Sequence, residues 1–160
     1  MFSKVFSIFF VYNLFLLISF SVSVNTLVNI QTINLLFYVF FHLTFIYFLF
    51  YYYNYTIFFL AFFYGVLFDI FLLNEIGPHL LSFIIIISIF NIFKKFLFLL
   101  SPYQISITIF ISLIGILFFE LIFAFIFNNI YFSFSLFMQY ILISLVIFIP
   151  TIFLFNKLEK

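Results

Sequence analysis

The chain has 160 residues, of which 69% are hydrophobic and only 6% carry a charge. A soluble globule of this size needs a polar surface that this composition does not supply, so the sequence indicates an integral membrane protein. The lack of cysteine excludes disulfides and thiolate metal sites, and a net charge of +1 gives no electrostatic footprint for nucleic acid.

Polar residues divide the chain into six apolar runs, most of them long enough to cross a bilayer as a helix. In chain order, the runs cover approximately residues 5–24, 33–53, 57–73, 78–95, 105–127 and 134–155. They are continuous rather than alternating, which favours helices over a β-barrel. The sequence therefore predicts an all-α, polytopic bundle of about six transmembrane helices, forming one domain over residues 1–160. We interpret the first run as a retained span, with a cleaved signal peptide as the alternative.

The five lysines predict the orientation of the chain. Lys4 precedes the first run, Lys94 and Lys95 end the fourth, and Lys157 and Lys160 follow the sixth. With six spans, all five lie on one side, which the positive-inside rule assigns to the cytoplasm. We therefore expect both termini to be cytoplasmic.

The fourth run is short when it is counted from His79 to the residue before its lysines. Residues 79–93 give a helix of only ~22 Å, against a hydrocarbon core of about 30 Å. We expect Lys94 and Lys95 to snorkel to the interface, with residues 96–100 lying along it.

Among the polar side chains within the runs are His42, Asp69, Glu120 and Gln139. The predicted topology gathers them in one layer, near or above mid-membrane toward the outer side. Ionisable groups inside a membrane usually face the protein interior or a partner. One interpretation is a shared functional site, with a His42–Asp69 pair or protonated carboxyls. The other is that each group is satisfied by backbone or by a neighbouring side chain.

The third and fourth runs predict a tight hairpin on the outer side. Gly65 and Asp69 are four residues apart, hence on one helix face, where glycine permits close approach of another helix. Asp69 should therefore face that helix rather than lipid. Residues 74–78 form the predicted turn, in which Gly77 allows a positive φ and Pro78 suits the first turn of the next helix.

The fifth run carries Thr108, Ser112 and Gly115 at helical spacing, which indicates a packing face.

No serine and histidine form a recognisable nucleophile and base, and the sequence has no glycine-rich phosphate loop or metal-binding motif. The sequence therefore predicts a protein that is not an enzyme and needs no cofactor.

The hairpin sequence, YGVLFDIFLLNEIGPHLL from Tyr64 to Leu81, resembles the corresponding segment of the MreD family. The shared pattern is Gly65-x-x-x-Asp69 near the end of one helix, a short turn, and Gly77-Pro78-His79 opening the next. The resemblance implies a non-enzymatic scaffold of the bacterial elongasome, the inner-membrane machinery that sets rod shape and cell elongation through peptidoglycan synthesis. It implies a bitopic MreC-like partner within the lipid bilayer, together with MreB, RodZ, RodA and a penicillin-binding transpeptidase. It also implies a fold similar to the substrate-binding subunits of energy-coupling-factor transporters.

Two hypotheses follow for the site. For a scaffold, the candidate residues for helix packing or partner interaction are Gly65, Asp69, Gly77, His79, Gly115 and Glu120. The alternative is a small-molecule-binding subunit of a membrane transporter, whose ligand site would be the polar layer of His42, Asp69, Glu120 and Gln139.

Overall fold

The computed structural model describes residues 2–25, 31–52, 54–73, 77–97, 99–128 and 133–158. The helices are α1 (Phe2–Ser23), α2 (Gln31–Tyr51), α3 (Tyr55–Phe68), α4 (Pro78–Leu97), α5 (Pro102–Asn128) and α6 (Phe134–Leu158), and a π-helical turn (Asp69–Leu73) extends α3. This part of the chain contains no strand, so the prediction of an all-α bundle is confirmed. Five of the helices are long and apolar enough to cross a membrane, and α1 contributes a shorter apolar stretch, Phe9–Ser23. The chain is a multi-pass helical membrane protein.

Local sequence signals account for several helix starts. Proline is the first residue of α4 and α5, where its missing N–H costs no hydrogen bond. Before α5, the Ser101 N–H donates to Oε1 of Gln104 at 2.9 Å, and the Gln104 N–H donates back to Oγ of Ser101 at 3.4 Å. This reciprocal capping box satisfies two of the free donors at the helix start.

Helix α4 corrects one prediction from the sequence. It has 20 residues, Pro78–Leu97, and so is ~30 Å long, about the thickness of the hydrocarbon core. The helix ends two residues after Lys95, so the end predicted at Lys94 and Lys95 is close, but the predicted length of 15 residues is too short. Lysine is a good helix former, and two cations in the last turn interact favourably with the helix dipole.

Helix α2 runs through the centre of the bundle, and eleven of its residues between Tyr38 and Leu49 are buried. Ring contacts fix the directions of its neighbours. The contacts Tyr38–Tyr140, Tyr47–Phe155, Phe41–Phe83 and Phe50–Phe90 show that α2, α4 and α6 run the same way. The contacts Phe9–Phe48 and Phe20–Phe41 show that α1 runs the opposite way.

These directions define two ends of the bundle. We call the end where α4 and α6 finish the lysine end, because Lys94, Lys95 and Lys157 lie in their last turns. We call the opposite end the far end. The far end contains the start of α2, the π-helical turn after α3 and the start of α4, and these elements hold the buried polar residues.

Candidate functional site

The hairpin of α3 and α4 is built around Gly65. A Cβ atom added at this position would lie 2.7 Å from Cα of Leu80 and 3.2 Å from its backbone nitrogen. Backbone atoms of a packed helix cannot move aside as a flexible side chain can, so only glycine fits without shifting α3 against α4. The close helix approach predicted at Gly65 is therefore present, and the helix it meets is α4.

Asp69 begins the π-helical turn and caps the start of α4. Its Oδ2 accepts hydrogen bonds from the N–H groups of Gly77 at 2.8 Å and Leu80 at 3.1 Å. Its Oδ1 accepts from the N–H of His79 at 2.9 Å and lies 2.8 Å from the Nδ1 of the same residue. A carboxylate in this position satisfies the free N–H groups at a helix start and complements the positive end of the helix dipole.

The turn that joins α3 to α4 was predicted over residues 74–78, and its first part, 74–76, lies outside the described residues. Gly77 does not adopt a positive φ, and a Cβ placed there would meet nothing within 4 Å. The predicted conformational reason for this glycine is therefore wrong. Gly77 contributes instead through its N–H, which donates to Asp69.

From Asp69 a chain of hydrogen bonds crosses the bundle to α2 and α5. The Nε2 of His79 lies 3.0 Å from the hydroxyl oxygen of Tyr38, and that oxygen lies 2.6 Å from Oε2 of Glu120. Oε1 of Glu120 lies 2.8 Å from Nε2 of His42, whose Nδ1 donates to the backbone carbonyl of Tyr38 at 2.8 Å. All five side chains are buried. We call Tyr38, His42, Asp69, His79 and Glu120 the polar network.

The polar network differs from the predicted polar layer in its membership and its pairing. His42, Asp69 and Glu120 are members, but His42 pairs with Glu120 and Asp69 pairs with His79, so the predicted His42–Asp69 pair is wrong. Gln139 is exposed and lies outside the network. Sequence reasoning missed Tyr38, which links the two pairs. The available signal was its position four residues before His42, on the same face of α2.

Aromatic rings enclose the polar network. The ring of His42 is stacked between Phe68, at 5.8 Å, and Phe83, at 5.4 Å. Phe68 also stacks on His79 at 5.6 Å, and Tyr140 of α6 stacks on Tyr38 at 5.7 Å. Because these rings pack against the imidazoles and Tyr38, the hydrogen bonds of the network act in an environment of low polarity.

The number of protons that the polar network needs can be counted for the state in which all of its contacts are hydrogen bonds. Five contacts join its members in sequence, from Asp69 to the backbone carbonyl of Tyr38, and each needs one proton. The Tyr38 phenol and two neutral imidazoles supply three protons when both carboxyls are ionised. Two further protons complete the five contacts, and they bring the net charge of the two acids and two histidines to zero. The fully hydrogen-bonded network is thus electroneutral, as burial within a membrane requires.

A cavity of about 270 Å³ adjoins the polar network at the far end. Its polar lining includes Tyr38, His79 and Glu120 of the network, together with Tyr140. Ser23 and Asn34 also line it, and the apolar part of the wall consists of Leu35, Leu72, Leu73, Leu121 and Ala124. The cavity therefore combines an apolar wall with a hydrogen-bonding face, which we define as Tyr38, His79, Glu120 and Tyr140.

The predicted packing face on α5 is open in the structure. A Cβ placed at Gly115 would meet nothing within 4 Å, so this glycine makes no close helix contact among the described residues. Thr108 and Ser112 line a second cavity, of about 310 Å³, together with residues of α2 and α4. Gly65 and Gly115 thus occupy different environments, one closed by α4 and one free.

The described residues contain no group of three or more His, Asp or Glu side chains placed to hold a metal ion. The two carboxylate–histidine pairs share Tyr38 between them, and their ring nitrogens are already engaged in hydrogen bonds. The arrangement can hold protons and form hydrogen bonds with a small group in the adjoining cavity.

Comparisons with protein-family models, curated proteins and solved structures gave no match to this chain. The MreD resemblance of the hairpin, and the implied likeness to energy-coupling-factor subunits, therefore stay predictions.

Proposed function

We propose that this chain is a non-enzymatic scaffold of the bacterial cell-elongation machinery in the inner membrane, where it binds a bitopic MreC-like protein. By the same resemblance, MreB, RodZ, RodA and a penicillin-binding transpeptidase are its further partners in peptidoglycan synthesis. The proposal includes the orientation with both termini in the cytoplasm, supported by the three described lysines that lie at one end of the bundle.

The observation that supports the proposal is the set of contacts that Gly65 and Asp69 of the hairpin motif make. Gly65 is closed by the backbone of Leu80, and the Asp69 carboxylate is engaged by three backbone N–H groups and one imidazole. These residues hold α3 and α4 in a fixed arrangement rather than presenting a reactive group. A rigid hairpin of this kind suits a protein that positions partners, because a pre-organised surface loses less entropy on binding.

Helix α5 offers a face for a partner span. Gly115 is free, and the neighbouring side chains Ile111 and Phe118 are exposed. Small residues let the backbones of two membrane helices approach closely, which is a main source of their association. We therefore assign the MreC-like span to the α5 face that contains Gly115.

The first test is depletion of the protein in its host, with cell shape and new wall insertion followed by microscopy. We expect rounded cells with dispersed wall synthesis. Unchanged shape, together with a growth defect that a nutrient rescues, would contradict the scaffold role.

The partner face is tested by a photo-crosslinking amino acid placed at Ile111 or Phe118, with Val146 on α6 as the control. All three side chains are exposed, so general contact with neighbouring proteins should be similar. We expect an MreC-like protein to be recovered from the two α5 positions and not from α6. Equal recovery from all three positions would argue against a specific α5 face.

The cavity at the far end favours a second candidate, the small-molecule-binding subunit of a transporter. Its volume of about 270 Å³ is near the lower limit of ligand pockets in proteins. Host genes encoding an ATPase pair beside this chain would favour transport, whereas neighbouring genes for MreB, MreC and a transpeptidase would favour the scaffold.

A further inference from the structure

We infer that the far-end cavity is a binding site for a small uncharged amphiphile, with a hydroxyl or amide hydrogen-bond donor at one end and an apolar body at the other. This inference goes beyond the scaffold role and deepens the second candidate, because it names the class of ligand. It also relocates the ligand site from the predicted layer that included Gln139 to a cavity lined by Tyr38, Glu120 and Tyr140.

The polar face of the cavity has spare capacity mainly for accepting hydrogen bonds. Each carboxylate oxygen of Glu120 makes one contact within the network, although a carboxylate oxygen can accept two. Both ring nitrogens of His79 are already used. The hydroxyl of Tyr140 forms no hydrogen bond with the described residues and can accept or donate. A ligand that donates a hydrogen bond therefore fits this face.

The charge of the network selects an uncharged donor. Its fully hydrogen-bonded state is already neutral, so a bound ammonium group would leave an unbalanced positive charge in an apolar wall. An anionic group would lie next to the Glu120 carboxylate, and no lysine lines the cavity. A neutral hydroxyl or amide adds a hydrogen bond without disturbing this balance.

The apolar part of the lining selects the body of the ligand. Four leucines and Ala124 form the apolar wall. An aromatic ring or a short alkyl chain would fill this space and exclude water from the hydrogen bonds at the polar face.

The test uses photolabelling of the full-length protein in phosphatidylcholine nanodiscs. The probe is benzyl alcohol with a trifluoromethyl diazirine on its ring, and labelled peptides are located by mass spectrometry. Unlabelled benzyl alcohol, benzylamine, benzoate and toluene compete with the probe, each compared at equal concentration in the membrane. The four competitors share one ring and differ in their polar group, so differences in competition report the chemistry of the polar face.

We expect labelling of the cavity wall at Leu35, Leu121 or Ala124. Benzyl alcohol should compete about tenfold better than the other three compounds. This factor is the effect of one hydrogen bond, which toluene and benzoate cannot donate and which benzylamine donates only with a positive charge. Equal competition by toluene would show an apolar space that lipid fills, and stronger competition by benzylamine would show an uncompensated negative charge. Either result, or the absence of label in the wall, would overturn the inference.

Two variants locate the site. Ala124→Leu fills the cavity and should abolish wall labelling, whereas Ser112→Leu fills the second cavity on α5 and should leave it unchanged. Tyr140→Phe should lower competition by benzyl alcohol toward that of toluene. If Ala124→Leu does not fold, Leu121→Phe occupies the same space. Failure of this test would leave the scaffold role intact, because depletion and microscopy test that role separately.

Discussion

The two ends of the bundle are stabilised in different ways. At the far end, five buried polar side chains are joined by directional hydrogen bonds. Toward the lysine end, the core consists mainly of packed rings: Tyr12 contacts Tyr47, Phe48 and Phe155, with centroid distances of 5.8, 5.5 and 5.1 Å. The stability of the far end depends on which atoms donate and accept hydrogen bonds, whereas that of the lysine end depends mainly on how well the rings fit together.

This difference predicts unequal tolerance of substitution. Lipid is as apolar as a phenylalanine ring, so packing between membrane helices depends on van der Waals contact and not on exclusion of water. Another apolar side chain of similar volume can supply that contact. A buried donor or acceptor that loses its partner, in contrast, retains its full desolvation cost. Substitutions at the far end should therefore have the larger effects.

The largest expected effect comes from Glu120→Leu. This change removes the acceptor for Tyr38 and the partner of His42, and it leaves the network with one carboxylate for two histidines. Breaking a buried ion pair in this way costs about 3–5 kcal/mol. Thermal unfolding in mild detergent should show a large loss of stability.

Glu120→Gln is the matched control, and we expect it to fold almost normally. A glutamine amide can donate to Nε2 of a neutral His42 and accept from the Tyr38 hydroxyl, so every contact retains a proton and the network stays neutral. An equally large loss for Gln and Leu would show that the negative charge of Glu120, rather than its hydrogen bonds, stabilises the fold.

Asp69 should show the opposite response to amide substitution. Both of its oxygens accept from backbone N–H groups, which cannot reverse their direction. Asn therefore places an NH₂ group against at least one N–H, at a cost of about 1–3 kcal/mol, and Leu loses all four contacts. We expect stability to fall from Asp to Asn to Leu, in the same melting experiment.

If Asp69→Asn were as stable as the original protein, the carboxylate would not be capping α4. If Asn and Leu were equally damaging at normal membrane levels, the charge at this position would be the essential feature. The stability of Glu120→Gln compared with that of Asp69→Asn thus distinguishes the role of Glu120 as a hydrogen-bond partner in the network from the role of Asp69 as the cap of α4.

A smaller effect is expected at Gly65. Gly65→Ala places a Cβ 2.7 Å from the backbone of Leu80, and overpacking of this kind costs about 1–3 kcal/mol. Gly115→Ala is the control, since nothing lies within 4 Å of its Cβ. Melting temperatures should fall for the first variant and stay level for the second. Equal tolerance would show that α3 and α4 are free to separate.

The sequence predicts most of this fold because long apolar runs and a few polar residues determine where membrane helices begin and end. For α4 it placed the end at Lys94 and Lys95, two residues before the helix ends at Leu97. Lysine side chains can reach the interface from positions inside a helix. A pair of lysines therefore shows where the membrane surface lies more accurately than it shows where the helix ends.

The candidate site was harder to predict, because its pairing depends on how the helices rotate. Rare acids and histidines identified most members, but sequence spacing could not show that His79 meets Asp69 and that His42 meets Glu120. Tyr38 was missed because it stands among many aromatic residues. Only the approach of α2 to α5 shows that its hydroxyl links the two pairs.

The last comparison concerns two buried tyrosines on the same helix. Tyr38→Phe removes the hydroxyl that lies between His79 and Glu120, leaving both without that partner in an apolar setting, at about 1–3 kcal/mol. Tyr47→Phe removes a hydroxyl whose contact to Asn156, near the lysine end, is long at 3.5 Å, so we expect a smaller loss than at Tyr38. The two changes remove the same atom from α2, so side-chain volume and helix propensity cancel in the comparison. A larger loss of melting temperature for Tyr38→Phe would locate the hydrogen-bonded part of the fold at the far end. Equal losses would mean that ring packing stabilises both ends alike, and that the polar network serves ligand or partner binding more than folding.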